Sequence, residues 1–103
     1  MGARHDHSTQ VETLHDLSRH FYALKDVLRL KMVVLLAERN ECTVNEMAEA
    51  LKQSQPLVSW HLRRLKTAGL VKIRRAGREV YCSLDRDAIE QHQQAFLVLI
   101  QRS

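Results

Sequence analysis

The chain has 103 residues, 45% of them apolar, with two cysteines, one proline and three glycines. That length makes one domain with a modest core, and two cysteines make no secreted disulfide framework, so a reducing cytoplasm is the expected compartment. An apolar run such as Ala95 to Ile100, unsurpassed in length here, is far short of a membrane span, and the polar start Met-Gly-Ala-Arg-His-Asp-His lacks the apolar stretch of a signal peptide.

Net charge is +4, but its distribution says more. Between Lys52 and Arg78 there are eight basic residues and no acid, while the other eight bases and all twelve acids leave the rest of the chain at −4. Such asymmetry is the footprint of nucleic-acid binding; a solvated basic face is the plainer alternative.

Residues 1–8 read as a disordered tail, with one domain over 9–103. Thr9-Gln-Val-Glu12 reads as a capping box opening a first helix, whose apolar stripe is Val11, Leu14, Leu17, Phe21 and Leu24. Asp26 fits the N-cap of a second helix carrying Leu28, Met32, Val33, Leu35 and Leu36. Thr43-Val-Asn-Glu46 is another capping box, and a short third helix turns Val44, Met47, Ala48 and Leu51 inward. After the tight connection Lys52-Gln-Ser54, Ser54 caps a fourth helix with Pro56 in its first turn, a buried stripe of Val58, Leu62 and Leu65, and Gly69 closing it.

The period then changes to two. Val71 to Arg75 alternates, Ala76-Gly77 turns, and Arg78 to Leu84 alternates again, which predicts a β-hairpin. Asp85 begins a last helix through Ile89, His92, Phe96, Leu99 and Ile100. The fold class is mainly α with a small hairpin (α+β), a winged helix-turn-helix in the order α-α-α-α-β-β-α.

In that arrangement the third helix braces the fourth, whose outer face carries Gln55, Pro56, Ser59, Trp60, Arg63, Lys66 and Thr67. Gln55 and Arg63 suit paired hydrogen bonds to base edges. Ser59, with its neighbour Ser54 at the cap, suits a base or phosphate, and Trp60 suits a thymine methyl or sugar. Arg74, Arg75 and Arg78 flank the hairpin tip and suit phosphate or minor-groove contact. Double-stranded DNA is therefore the expected partner; a winged helix used only for protein–protein contact is the rival, and it has no need of the acid-free segment.

Four stretches, residues 23–32, 47–51, 54–65 and 68–81, resemble the ArsR/SmtB family of dimeric winged-helix repressors, most of which sense metals. The Ser-x-Val-Ser-x-His-Leu core, reaching from Gln55 to Leu62 with its flanking Ser54, is its most specific part. The resemblance implies a homodimer joined through the first and last helices, operator binding, and release by an inducer. Three departures stand out. The family's Asp-Pro-Thr-Arg is Asp26-Val-Leu-Arg29, and Trp60 stands where Arg is common. The family's metal ligands would fall at Thr43 and Asn45, or at Arg86 and Ala88 with Leu99 and Arg102 opposite, and none of these fits. No metal site or other cofactor is therefore expected at the familiar positions.

Ala95 to Ile100 is apolar nearly all round, so Phe96, Leu99 and Ile100 are expected to meet Leu14, Leu17 and Phe21 across a C2 dimer, placing two fourth helices on a near-palindromic site. Six histidines leave a metal inducer open through His5, His7 and His15 or His92, against solvent-facing histidines; His61 reads as a hydrogen-bonded packing residue. Cys42 and Cys82 are expected on neighbouring strands facing the core. They are either two inert thiols, the favoured reading, or a redox or thiophilic sensor. No phosphate loop, catalytic triad or paired strand-end acids marks an enzyme.

Overall fold

The computed structural model of the chain describes residues 6–101, with side chains from Glu12 onward. Much of the expected disordered tail, with His5, lies outside the described residues, as do Arg102 and the side chains of His7 and Val11. The elements run α1 (Asp6–Ala23), α2 (Val27–Arg39), β1 (Glu41–Thr43), α3 (Val44–Leu51), α4 (Gln55–Thr67), β2 (Val71–Ala76), β3 (Glu79–Leu84) and α5 (Arg86–Gln101). No helix among the described residues is long and apolar enough to cross a membrane.

Local signals set most boundaries. The Asp26 carboxylate accepts from the Leu28 and Arg29 amides at 2.8 and 3.2 Å and opens α2. Thr43 and Glu46 form the reciprocal capping box of α3, at 3.0 and 2.9 Å. Ser54 caps α4 by accepting from Leu57 N–H, and Asp85 Oδ1 accepts from Ala88 N–H at the start of α5. At the far end of α4, Gly69 takes φ +77°. Its N–H donates to Lys66 O at 3.0 Å and Leu70 N–H to Leu65 O at 2.9 Å, the paired bonds of a Schellman cap. A Cβ at Gly69 would also lie 2.9 Å from His92 Cε1, so backbone conformation and packing both require glycine there.

Two boundaries differ from expectation. α1 starts at Asp6, so Thr9 lies inside the helix rather than capping it. The hairpin register pairs Ala76 with Glu79, which moves the turn to Gly77-Arg78; Gly77 supplies the positive φ that a two-residue turn needs first. The strand of Cys42, expected beside that of Cys82 although absent from the order α-α-α-α-β-β-α, is β1; it adds to β3, giving an antiparallel sheet in the order β1-β3-β2. Three residues between two helices are too short a run for alternation to reveal, so the winged-helix pattern alone points to that strand.

The core lies between α2, α3, α4 and the sheet, where Met32, Leu36, Met47, Val58, Leu62 and Leu65 are at most 1% exposed. Burying each such side chain contributes about 1.5–3 kcal/mol. α5 contributes no fully buried residue. It lies along α1, where Phe21 and Phe96 meet edge to face at 5.5 Å.

A polar link joins this helix pair to the end of α4. His20 is 1% exposed. Its Nδ1 lies 2.8 Å from Ala68 O, an acceptor only, so Nδ1 carries the proton. Its ring stacks on His92 at 4.1 Å, and His92 Nδ1 lies 2.7 Å from Ala88 O. Burial holds the His20 pKa below its ordinary 6.5, the Ala68 carbonyl opposing and His92 adding to the effect. The unfolded chain therefore takes up this proton first as pH falls, and stability is lost progressively from about pH 6.5 down through the folded value. Chemical denaturation at about pH 7.5 and about pH 5.5 should show the loss. His20→Phe should flatten that pH dependence while lowering stability at the higher pH.

Candidate nucleic-acid interface

α3 and α4 form a rigid pair. Their connection turns at Lys52, which caps α3 in the left-handed region at φ 56°, and Gln53 N–H donates to Ala48 O at 2.9 Å. Val58, His61, Leu62 and Leu65 are the buried side of α4. Gln55, Pro56, Arg63 and Lys66 are exposed on the other side, with Ser59 half-buried beside them. Ser54 is exposed at the N-cap, its hydroxyl occupied by the Leu57 amide. The residues expected to reach base edges are thus brought together at the start and outer face of one helix.

His61 has the packing role its position suggests. At 5% exposure its Nδ1 accepts from Arg29 Nε at 3.0 Å, fixing the imidazole neutral with its proton on Nε2. Burial lowers its pKa, Asp26 opposing and Arg29 assisting. Arg29 Nη1 also donates to Ala23 O at 3.4 Å, so one guanidinium joins the end of α1 and the start of α2 to the middle of α4.

Trp60 is less free than its position on the outer face implies. It is 40% exposed. Its ring meets His61 edge to face at 5.0 Å, and the guanidiniums of Arg64 and Arg29 stand 4.6 and 5.5 Å from its centre. Arg64 belongs to the site although the sequence reading passed over it; its spacing of four from Trp60 was the available signal.

On the hairpin, Arg78 occupies the turn itself, and Arg75 is exposed at the last full strand turn before it. Neither makes an ion pair among the described residues. Arg74 differs. Its Nη2 and Nε reach Glu41 at 3.0 and 3.4 Å, and its guanidinium covers Tyr81 at 4.4 Å. The β1–β3 pairing brings Glu41 alongside, so Arg74 has a carboxylate partner on the exposed face of the sheet. The contact needed the third strand to exist, and spacing alone does not reveal it.

Cys42 and Cys82 are direct cross-strand partners, 1% and 0% exposed, and both thiols are free. Burial raises the Cys42 pKa and pushes Cys82 up to about 11, so neither is a thiolate at neutral pH. Among the described residues no group of three or more His, Cys, Asp or Glu is placed to hold a metal ion. Thr43 and Asn45 stand at the start of α3, Thr43 as its cap.

A braced helix with a polar outer face beside a basic two-stranded wing defines a winged helix-turn-helix. The profile of the bacterial regulatory protein, arsR family, matches residues 26–72. The cadmium resistance transcriptional regulatory protein CadC homolog of Staphylococcus aureus is 37% identical over 74% of this chain and 63% of its own length. The transcriptional repressor SmtB homolog of Synechocystis is 42% identical over 72% of this chain and 55% of its own. Among solved structures, the homodimeric winged helix-turn-helix DNA-binding domain (fragment 1–100) from Mycobacterium bovis superposes with a TM-score of 0.74 at 27% identity, covering 98% of this chain and 92% of that one. The chain belongs to the arsR family of bacterial regulatory proteins. It spans between about two fifths and just under two thirds of the length of the curated relatives it matches.

Glu41→Gln should release the Arg74 guanidinium. If the wing lies on the phosphate backbone, affinity for a random duplex should rise and the slope of log affinity against log salt should steepen by about one. An unchanged slope would place Arg74 away from DNA.

Proposed function

We propose that the protein is a transcription repressor that binds a near-palindromic operator as a homodimer and leaves it when an inducer binds. The observation that carries this reading is the exposed face of Gln55, Ser59 and Arg63 on a helix braced by α3, beside the unpaired Arg75 and Arg78 of the wing. Arg63 suits a bidentate contact to guanine and Gln55 one to adenine, while the wing arginines meet phosphates whatever the sequence.

The dimer reading rests on α5. None of its side chains is fully buried, and Leu14, Phe21, Phe96 and Ile100 leave an apolar surface between 39% and 52% exposed. A stable lone protomer rarely leaves so continuous an apolar face in water. Leu99 is half-buried along the same helix, whereas Leu17, at 5% exposure, already packs inside its own protomer and has little left for a partner. The M. bovis relative is homodimeric, which supports the same assembly. An inducer bound at the family's familiar metal positions finds Thr43, Asn45, Arg86 and Ala88, none a strong zinc ligand, so the inducer is read as acting elsewhere. Action on DNA also places the protein in the cytoplasm.

The test is DNA selection from the protein's own genome, followed by titration of the recovered operator. Arg63→Ala should cost about 1–3 kcal/mol and relax base preference, while Arg75→Ala should weaken all sequences alike and flatten the salt slope. Arg63→Ala binding as tightly as wild type would overturn the recognition-helix reading. Phe96→Asp should give a monomer by sedimentation and lose operator binding with it; a wild-type protein already monomeric at micromolar concentration would overturn the dimer.

A further inference from the structure

Arg29 is a buried cation with no direct ion pair among the described residues. It is only 8% exposed. Its protein partners are neutral, the His61 ring nitrogen and the Ala23 carbonyl. The acid nearest in sequence, Asp26, attracts Arg29 through space but makes its hydrogen bonds through Oδ1 to the Leu28 and Arg29 backbone amides, not to the guanidinium. No ion pair to Arg29 exists among the described residues, where the ion pairs are Arg19 with Asp16 and Arg74 with Glu41. A buried charge is ordinarily matched by an opposite one, because desolvation costs several kcal/mol otherwise. Stacking against Trp60 offsets part of that cost and supplies no acceptor for the outer N–H groups.

Those groups border a cavity of about 380 Å³ between α1, α2 and α4. Its walls include Arg29, Arg64, Arg19, Trp60 and Tyr22, and no acid lines it. Arg19 is partly committed to Asp16, which lies outside this cavity. The volume is at the lower end of the range for small-molecule sites. Its chemistry combines a planar, forked donor at the buried end, aromatic surfaces on the sides, and a second guanidinium, Arg64, held over Trp60 at 4.6 Å. A carboxylate matches the fork of Arg29 in a way a point charge does not, and a flat ring fits beside the indole and phenol.

We propose that this cavity is a binding site for a small aromatic carboxylate. The carboxylate pairs with Arg29, the ring lies against Trp60 and Tyr22, and Arg64 closes the rim. A backbone phosphate of DNA is the competing anion, but the burial of Arg29 favours a small molecule that can enter over a phosphodiester that stays on the rim. Trp60 and Arg64 sit on α4, so occupancy shifts the helix that carries Ser59 and Arg63. Ligand binding then changes operator affinity, a consequence that rests on the DNA-binding reading above, whereas the site itself does not.

Trp60 is the only tryptophan of the chain, so its fluorescence reports the site directly in the DNA-free protein. Titration with benzoate should give a saturable change, and benzamide, the same shape without the charge, should give none. Arg64→Gln, an exposed substitution that leaves the core intact, should weaken benzoate by about tenfold. Arg29→Lys, checked for folding by circular dichroism, should weaken it at least as much; if that variant does not fold, the benzamide and Arg64→Gln comparisons decide. No saturable change at millimolar benzoate, an equal response to benzamide, or undiminished binding by Arg64→Gln would overturn the proposal. Inorganic phosphate binding as tightly as benzoate would also overturn it and make the cavity a phosphate seat. A second titration, of the operator complex with benzoate, tests the coupling: unchanged affinity there sinks the regulatory consequence and leaves the fluorescence result standing.

Discussion

The placement of α4 is the constraint on which the rest of the molecule depends. Val58, Leu62 and Leu65 anchor one side of the helix in the core, but an apolar stripe alone permits sliding and rotation between packed helices. Arg29 removes that freedom. Its hydrogen bond to the His61 ring ties α4 to α2, and its contact with the Ala23 carbonyl ties both to the end of α1. Directional bonds in a low-dielectric setting specify one arrangement where dispersion tolerates several. With the buried side fixed, the angle at which Gln55, Ser59 and Arg63 leave the surface is fixed too.

A second link reaches α4 from the other end. The His20 ring bonds the Ala68 carbonyl and stacks on His92, so the helices that carry the exposed apolar surface are joined to the terminus of the helix that carries the polar one. Gly69 makes this close approach possible by having no Cβ to meet His92. The same few residues therefore end α4, seat α5 and transmit the position of one helix pair to the other. A change in packing between α1 and α5 cannot leave the end of α4 undisturbed.

The wing shows how a charge count overstates what is available. Eight bases lie between Lys52 and Arg78, yet they are not equivalent. Arg74 is paired with Glu41 and lies over Tyr81 on the exposed face of the sheet, and Arg64 lies over Trp60. Arg63, Arg75 and Arg78 keep their guanidiniums free of protein acids among the described residues. Pairing with a carboxylate or an aromatic face removes a guanidinium from the pool that attracts phosphate, and the fold rather than the composition decides which ones are removed. The opposed pair Cys42 and Cys82 follows the same logic: facing strands bring the sulfurs together, and the burial that does so keeps both protonated.

The sequence by itself determined what depends on short spacing. Capping residues at Asp26, Thr43 and Ser54, the glycine after α4, the apolar periods of three and four, and the shift to period two at Val71 each act within a few residues, so they survive without a partner element. The same holds for the outer face of α4 and for the packing role of His61. What only the tertiary structure decided involves residues far apart in the chain. The register of the short strand β1 on β3, with Glu41 opposite Ser83 and Thr43 opposite Tyr81, is set by the edge that β3 offers. The pairing of Arg74 with Glu41 requires that strand. The stack of His20 on His92, the inward position of Leu17, and the meeting of Arg29 with Trp60 and Arg64 around one cavity arise only when helices pack. A helical period says which side of a helix is apolar; it does not say which neighbour that side will touch, because that choice is made by the volume and hydrogen bonding of the whole core.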